Sequence, residues 1–561
     1  MKQTLTKNPK IVTFMTANRK SNLLALLFFA AYMAIIVFGY HQDNRTVTVN
    51  KLASDNWSII PMLQKQQDTT LFRQDQFLYD HRNILVFYPS HFYISLFFAN
   101  LAGGDILKGY ALFGEVTLIV YLIAWFLLFW YITRNAWAST LLTFLARGIL
   151  WPPGKELWGA GDLMYFLPRT VFAALIPFAF ILLLHGLGKK KPYLLVIGFF
   201  LIGLFGNQHP ISGMGTGLAC LMALAFYLLI HQASKPLSKL LQLVSAGSAF
   251  VLGLAPYLVP YVMRNLALGK QDFDKKLFRE LISERISGIF TKPWNLYEHY
   301  LVPQWIVMIG GAAILSVFAY RAHKSAKSQV LFSWYFSISI LLMPIVFYFT
   351  EAALNKLGFD QFNISYELMR TSKYIIIGAF LMLAYGIMAW PGEKYWAKPT
   401  FGLGMVCAFL AFCVLAKGPL KKLPVAKFDF FRAQLPDYLT RNQYLPYTFT
   451  DLDSACAWIK HNTPPEATFA GPSQIRGSAL RSIPFDFKGA SVLLEFNKNR
   501  YIDWALKNRE FERLKTDSAK IAFYKKLHID YLLTDMIESN TDSLAKVFGS
   551  YRLYKLIESQ P

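Results

Sequence analysis

The sequence predicts a polytopic α-helical membrane protein, with about eleven spanning helices, followed by a small C-terminal α/β domain. Three observations carry this. Hydrophobic residues make up 54% of the 561 positions and charged residues only 16%, and the mean hydropathy is +0.32; a soluble domain would carry about a quarter charged residues. Apolar runs near or above the roughly 18 residues of a spanning helix recur as far as Ala416. Beyond that point the pattern changes to short helical and strand-like stretches.

Met1–Lys20 is basic, with Lys2, Lys7, Lys10, Arg19 and Lys20 and no acid. Asn22–Tyr40 reads as the first span, a retained signal anchor, because no small-residue cleavage site follows. A long polar loop runs from 41 to 108. Within it Ile84–Leu101 is apolar but broken by Pro89 and His91, as an interfacial or re-entrant helix would be. Further spans are expected at Gly109–Ile132, Ala136–Leu150, Met164–His185, Tyr193–Phe205, Ile211–Ile230, Leu240–Met263, Leu301–Ala319, Val330–Thr350, Tyr374–Trp390 and Phe401–Ala416. Ala136–Leu150 and Tyr193–Phe205 are short for the purpose, and the first contains Arg147.

Charge sets the expected orientation. With the N-terminus in the cytoplasm, the short loops with Arg134, Lys189–Lys191, Lys235/Lys239, Arg321–Lys327 and Lys394/Lys398 fall inside. The long loops, including Arg264–Tyr300 and Glu351–Arg370, then fall outside with the tail. The same distribution explains the net charge of +23 and pI near 9.6 without nucleic acid, for which no basic helix or recognition motif is present. The expected location is the bacterial inner membrane, with the tail in the periplasm.

The domains expected are a transmembrane body at 1–416, a linker at 417–450 and an α/β domain at 451–561. In the last, Asp453–His461, Asn499–Leu514 and Asp517–Leu527 read as helices. Ala467–Ala470, Ile483–Phe487, Tyr531–Thr534 and Tyr551–Leu556 read as strands. Of the four cysteines, Cys220, Cys407 and Cys413 lie in apolar runs and Cys456 stands alone in the tail. No CxxC pair is present, so neither a zinc site nor a disulfide framework is expected.

The GxSxG, HExxH, GxxxxGK[ST] and strand-linked GxGxxG motifs of soluble enzymes are absent. What remains is a set of ionisable residues that topology brings to one membrane face: Asp55, Asp75, Asp80, Asp162, Arg169, His209, Glu367, Arg370 and Lys373. Each has a plain structural reading as a cap, a solvated acid or a headgroup anchor. Together they suit chemistry, since a carboxylate can take a proton from a hydroxyl and an Arg can hold a phosphate.

The pattern resembles the GT-C superfamily of integral membrane glycosyltransferases. The likeness rests on the outer-loop stretch Ser54–Leu63, on Met164–Arg169 opening a span, and on Tyr366–Arg370 before a late one. Trp458-Ile459, Asn462-Thr463-Pro464 and Ala467 are similar to the opening of the soluble domain in such proteins. Asn462–Pro465, Arg481 and Phe487-Lys488 are similar to an uncharacterised bacterial branch whose tail is a domain of unknown function. The resemblance implies that an early outer-loop acid is the catalytic base and that the donor is a lipid-linked sugar phosphate. Asp55 then becomes the candidate base and Asp75 the second. Arg370 becomes the candidate phosphate ligand, with Lys373, Arg169 and His209 beside it. Two departures stand out: the usual paired acids directly after the first helix are missing, and so is the WWD signature of oligosaccharyltransferases, which argues against transfer to protein asparagine.

The function expected is transfer of a sugar from a polyprenyl-phosphate donor to an acceptor at the periplasmic face, with membrane lipid as surroundings. No cofactor is required by the sequence. Some members of the superfamily use a divalent metal (Mg or Mn), for which Asp55, Asp75 and Asp80 are the nearest acids. The other reading is a non-catalytic transporter or lipid-handling membrane protein, whose broken helices the two short spans would be.

Overall fold

A computed structural model describes residues 9–52, 55–82, 89–147, 150–151, 156–157, 166–233, 235–268, 271–286, 288–300, 303–322, 326–357, 368–389, 393–417, 419, 449–535 and 543–556. Asp162, Glu367 and most of the 417–450 linker lie outside them.

The body is a bundle of helices: α1 (Pro9–Asn44), α2 (Asn56–Gln67), α3 (Pro89–Leu101), α4 (Ile106–Thr133), α5 (Ala136–Arg147), α6 (Pro168–Lys189), α7 (Pro192–Gly206) and α8 (Pro210–His231). A short strand pair, β1 (Leu150–Trp151) with β2 (Glu156–Leu157), follows α5. Then come α9 (Pro236–Leu268), α10 (Lys275–Arg285), α11 (Pro293–Tyr300), α12 (Pro303–Ala322), α13 (Lys327–Lys356), α14 (Ile375–Ile387) and α15 (Pro399–Lys417). A 3-10 turn, Arg370–Tyr374, leads into α14. Many of these helices begin on proline, whose fixed φ suits the first helical position and whose missing N–H would be unpaired there anyway.

Among the described residues, seven helices are long and apolar enough to cross a membrane: α1 from Arg19, α4, α6, α8, α9, α13 and α15 to Ala416. The chain is therefore a multi-pass helical membrane protein. Helix α7 and residues Ile309–Ala322 of α12 are shorter apolar helices. Each segment expected to span is helical over most of its described residues, but α5 has 12 residues and α14 has 13. At 1.5 Å per residue these rise only about 20 Å, against a hydrocarbon core of about 30 Å.

Helices α7 and α9 cross at paired glycines. A Cβ on Gly203 would lie 2.1 Å from the Phe250 carbonyl, and one on Gly253 would lie 2.1 Å from the Phe200 carbonyl. Only glycine lets the two backbones approach so closely. Just beyond, Asn207 bonds into the ladder of α9: its Nδ2 donates to the Gly253 carbonyl at 2.8 Å and its Oδ1 accepts from the Tyr257 N–H at 2.8 Å. With Pro256 and Pro260 in the same stretch, α9 is interrupted at an identifiable place.

The tail forms a three-layer domain. Its elements are α16 (Asp451–Asn462), β3 (Phe469–Ala470), α17 (Gln474–Ala479), α18 (Ala490–Phe496), α19 (Lys498–Glu512), α20 (Asp517–Lys526), β4 (Tyr531–Thr534), β5 (Leu544–Phe548) and β6 (Tyr551–Lys555). The sheet order is β3-β4-β6-β5, parallel for β3/β4 and antiparallel elsewhere. Successive residues of a strand face opposite ways. Leu533 therefore packs with Ile459 and Ile475 on one face, and Leu532 with Ile521 on the other. The capping box of Thr450 and Asp453 starts α16 two residues before the expected Asp453. The strand expected at Ile483–Phe487 does not form. Ser482 makes one isolated bridge to Thr468, Pro484 has no N–H to offer a ladder, and the Ile483 N–H donates to Asp75 instead.

The first loop, the stretch around α10 and the tail meet at one end of the bundle. Asn50 bonds Asp453 at 2.7 Å, Gln64 bonds the Gly477 carbonyl at 2.9 Å, and a Cβ on Gly489 would strike the Phe77 ring at 2.5 Å. From the other side Tyr261 bonds Glu495 at 3.1 Å, and Arg509 pairs with Glu280 and Glu284 on α10. The opposite end is closed by Gln329, which bonds the Tyr131 hydroxyl at 3.0 Å, the Leu184 carbonyl at 2.9 Å and Tyr385 at 3.3 Å.

Candidate functional site

Asp55 immediately precedes α2. Its own backbone is already helical (φ −68°, ψ −32°), so its side chain does not cap the helix. Instead, each carboxylate oxygen faces a cation. Oδ2 lies 3.5 Å from Arg169 Nη1 and Oδ1 lies 3.2 Å from Lys488 Nζ. Arg169 stands in the first turn of α6, held there by Pro168 at the helix start. Lys488 comes from the tail. The helix N-terminus adds partial positive charge on the same side. The carboxylate keeps 47% of its exposure, so it is accessible to a reactant. Three distant parts of the chain therefore build one small charged site.

Its floor is buried and polar. Asn56, next to Asp55, is fully buried, and its Oδ1 is 3.0 Å from the Tyr110 hydroxyl. The same hydroxyl is 2.9 Å from the Phe166 carbonyl and 3.5 Å from His91 Nε2. His91 is fully buried on α3. Burial pushes its imidazole down to about 3, against a small opposing contribution from Gln208, so it is neutral at working pH. His91 Nδ1 and Gln208 Oε1 are both buried without a geometrically sound hydrogen bond.

Gln208 leads into the second group. His209 precedes α8, and its Nδ1 takes the Ser212 hydroxyl at 2.6 Å. Tyr374 also donates to Ser212 Oγ. The Tyr374 ring meets Phe172 of α6 edge-on with centroids 5.8 Å apart, one turn beyond Arg169. Lys373 is buried beside it, and a Cβ on Gly215 would lie 2.2 Å from the Thr371 side chain. So Asp55, Arg169, His209 and Lys373 belong to one connected region built from the starts of α2, α6, α8 and α14. Arg370 is exposed, and its guanidinium stacks on Phe290, 5.3 Å from the ring centroid.

Asp75 is placed quite differently. It is fully buried, and both oxygens are engaged: Oδ1 by the Phe77 N–H at 3.0 Å, Oδ2 by Arg476 Nε at 2.7 Å and the Ile483 N–H at 3.1 Å. Arg476 also bonds Asp486 at 2.9 Å and the Ile483 carbonyl at 2.9 Å. Asp80 pairs with Arg82 at 3.0 Å and with Arg264 of α9 at 2.7 Å.

Among the described residues no group of three or more His, Cys, Asp or Glu side chains could hold a metal ion. At Asp55 the counter-charge comes from Arg169 and Lys488, so the side chains described there do not fit a divalent ion. Sequence reasoning did not single out Asn56, Tyr110, Gln208, Lys488 or Arg476 as site residues. Lys488 was visible only as part of a tail pattern, and nothing in a sequence pairs positions 433 apart. Comparison with known protein families finds no matching family model, and comparison with curated proteins finds no match.

Proposed function

We propose that the protein is a membrane glycosyltransferase of GT-C type, moving a sugar from a polyprenyl-phosphate donor to an acceptor hydroxyl at the periplasmic face. The observation that carries this is the Asp55 site, an accessible carboxylate held between two cations at the start of two helices. In the reaction the acceptor oxygen bonds to the anomeric carbon as the bond from that carbon to the phosphate oxygen breaks. Asp55 takes the acceptor proton. The electron pair of the broken bond leaves with the lipid phosphate, and Arg169 and Lys488 hold the negative charge it gains. An arriving phosphate draws both cations from Asp55 and leaves that carboxylate free to act as base. Lys373 and His209 line the approach, and Arg370 meets the donor from the Phe290 side. Asp75 is assigned to structure, since it is fully buried and both its oxygens already accept hydrogen bonds.

Eleven crossings, with the N-terminus cytoplasmic in a bacterial inner membrane, suit this reading. The supporting contacts lie at helix ends. Helix α4 starts beside Phe166 and ends beside Gln329, while α6 starts at Asp55 and ends at Gln329. The chain must return between them, through α5. Helix α8 starts beside Tyr374, at the same end as Asp55, so α7 returns the chain once more. Lysine and arginine between the spans at the Gln329 end support a cytoplasmic position for that end.

The test is turnover of polyprenyl-phosphate sugars by the purified protein, wild type beside Asp55→Asn. The substitution is expected to lower kcat on the order of a hundredfold or more; unchanged turnover would remove Asp55 as the base. A second reading, transport or lipid handling without catalysis, draws on the interruption of α9 by Asn207, Pro256 and Pro260, because broken helices line transporter sites. Donor binding without turnover of any donor would favour it.

A further inference from the structure

We propose that Tyr110 is a positioning residue for this site: its phenol pins the start of α2 to the start of α6 and so sets how Asp55 meets Arg169. The inference rests on the reading of Asp55 given above. The Asp55–Arg169 contact is loose at 3.5 Å and the Asp55 side chain is 47% exposed, and such a contact does not fix its own geometry. The fixed point lies one layer below. Asn56 is bonded to Asp55 through the chain, and Phe166 lies three residues before Arg169. Both reach the same hydroxyl, at 3.0 Å and 2.9 Å, in a place where Tyr110 and Asn56 are 1% and 0% exposed.

The proton count specifies the arrangement. A phenol has one proton, and the Phe166 carbonyl can only accept, so the proton goes there. Asn56 then has to present its NH2 to the phenol oxygen, which a turn of its amide allows. The phenol then donates to the α6 side and accepts from the α2 side. His91 packs edge-on against the Tyr110 ring, centroids 5.9 Å apart and planes at 85°, and restrains the ring.

Tyr110→Phe keeps the ring and removes the pin; Asn56→Ala removes the other partner and serves if the first variant folds poorly. The readout is the rate at which a water-soluble carbodiimide with glycinamide labels each carboxyl of the full-length protein in detergent, followed by mass spectrometry. In either variant Asp55 labelling is expected to change about fivefold, the population shift that one net hydrogen bond supports. The exposed Asp68 should keep its rate and the buried Asp75 its protection. Asp55 labelling unchanged, or changed only together with Asp75, overturns the proposal, the second case being general loosening. Turnover adds the functional arm: Tyr110→Phe should lower kcat about tenfold or more with KM within about twofold. Changed Asp55 labelling with unaltered kcat also overturns it. Changed Asp55 labelling in a protein that turns over no donor supports the pin and instead counts against glycosyl transfer.

Discussion

Two acids of the same loop, Asp55 and Asp75, each reach a cation of the tail, and their surroundings give them opposite roles. Asp75 is sealed: Arg476 lies between it and Asp486, and the backbone N–H groups of Phe77 and Ile483 complete its shell. Asp55 is open: its partners are salt-bridge contacts at 3.2 and 3.5 Å, and about half of the side chain meets solvent. A buried, fully bonded ion pair holds one geometry and is costly to break. An exposed pair contributes little to stability and exchanges partners readily. The first arrangement suits a clamp between loop and tail, and the second suits a group that must meet a substrate.

The sharpest way to break this contrast is at Arg476. Arg476→Ala leaves Asp75 and Asp486 facing each other, buried and without their cation. A loss of about 3–5 kcal/mol of docking stability is expected, because removing one partner of a buried pair strands the other charge. Thermal unfolding in detergent and protease cleavage between body and tail would measure it. A variant that melts and resists protease like the wild type would show that the clamp is not what holds the tail.

A pH series sharpens the same contrast. Burial works against the charged form of Asp486, but Arg476, the Ser473 hydroxyl and the Gly489 N–H outweigh it and hold its carboxyl below the ordinary value. Asp80 behaves likewise: burial is outweighed by Arg82 and Arg264. A carboxyl depressed in the folded state stabilises fully above its unfolded value, about 3.9, and that contribution is lost as pH falls through the folded value. Folding stability should therefore hold from neutrality down to about pH 4 and fall only below it. A fall that begins at pH 6 would point to groups other than these acids.

Legibility in the sequence follows the range of the forces involved. Helical segments of the body could be read because hydropathy and length are local properties. Asp55 could be picked out as the first acid of the outer-loop stretch from Ser54, and Arg169 by its place after Pro168 at a helix start. What separates Asp55 from Asp75 could not be read, since the burial of Asp75 depends on Arg476, 401 positions away. Strand β5 was missed because Leu544, Ala545, Lys546 and Val547 are all exposed at a sheet edge and show no alternation. The false strand at Ile483–Phe487 had the right composition, but its backbone donor is spent on Asp75.

The smallest expected effect lies at Lys488, and it separates the two acids most finely. Lys488 is 39% exposed and touches Asp55 from the tail side, close to the clamp. Lys488→Ala should shift stability by less than about 1 kcal/mol, because an exposed pair adds little and the Asp75–Arg476 bond is untouched. If Lys488 holds the donor phosphate with Arg169, the same change should raise KM for the donor and lower kcat several-fold, because the phosphate gains charge as its bond to the sugar breaks. Added salt should narrow the gap between variant and wild type, since a half-exposed cation is screened. A variant that instead loses stability as Arg476→Ala does would make Lys488 part of the clamp. Asp55 would then be a second interdomain bond, and the contrast between the two acids would collapse.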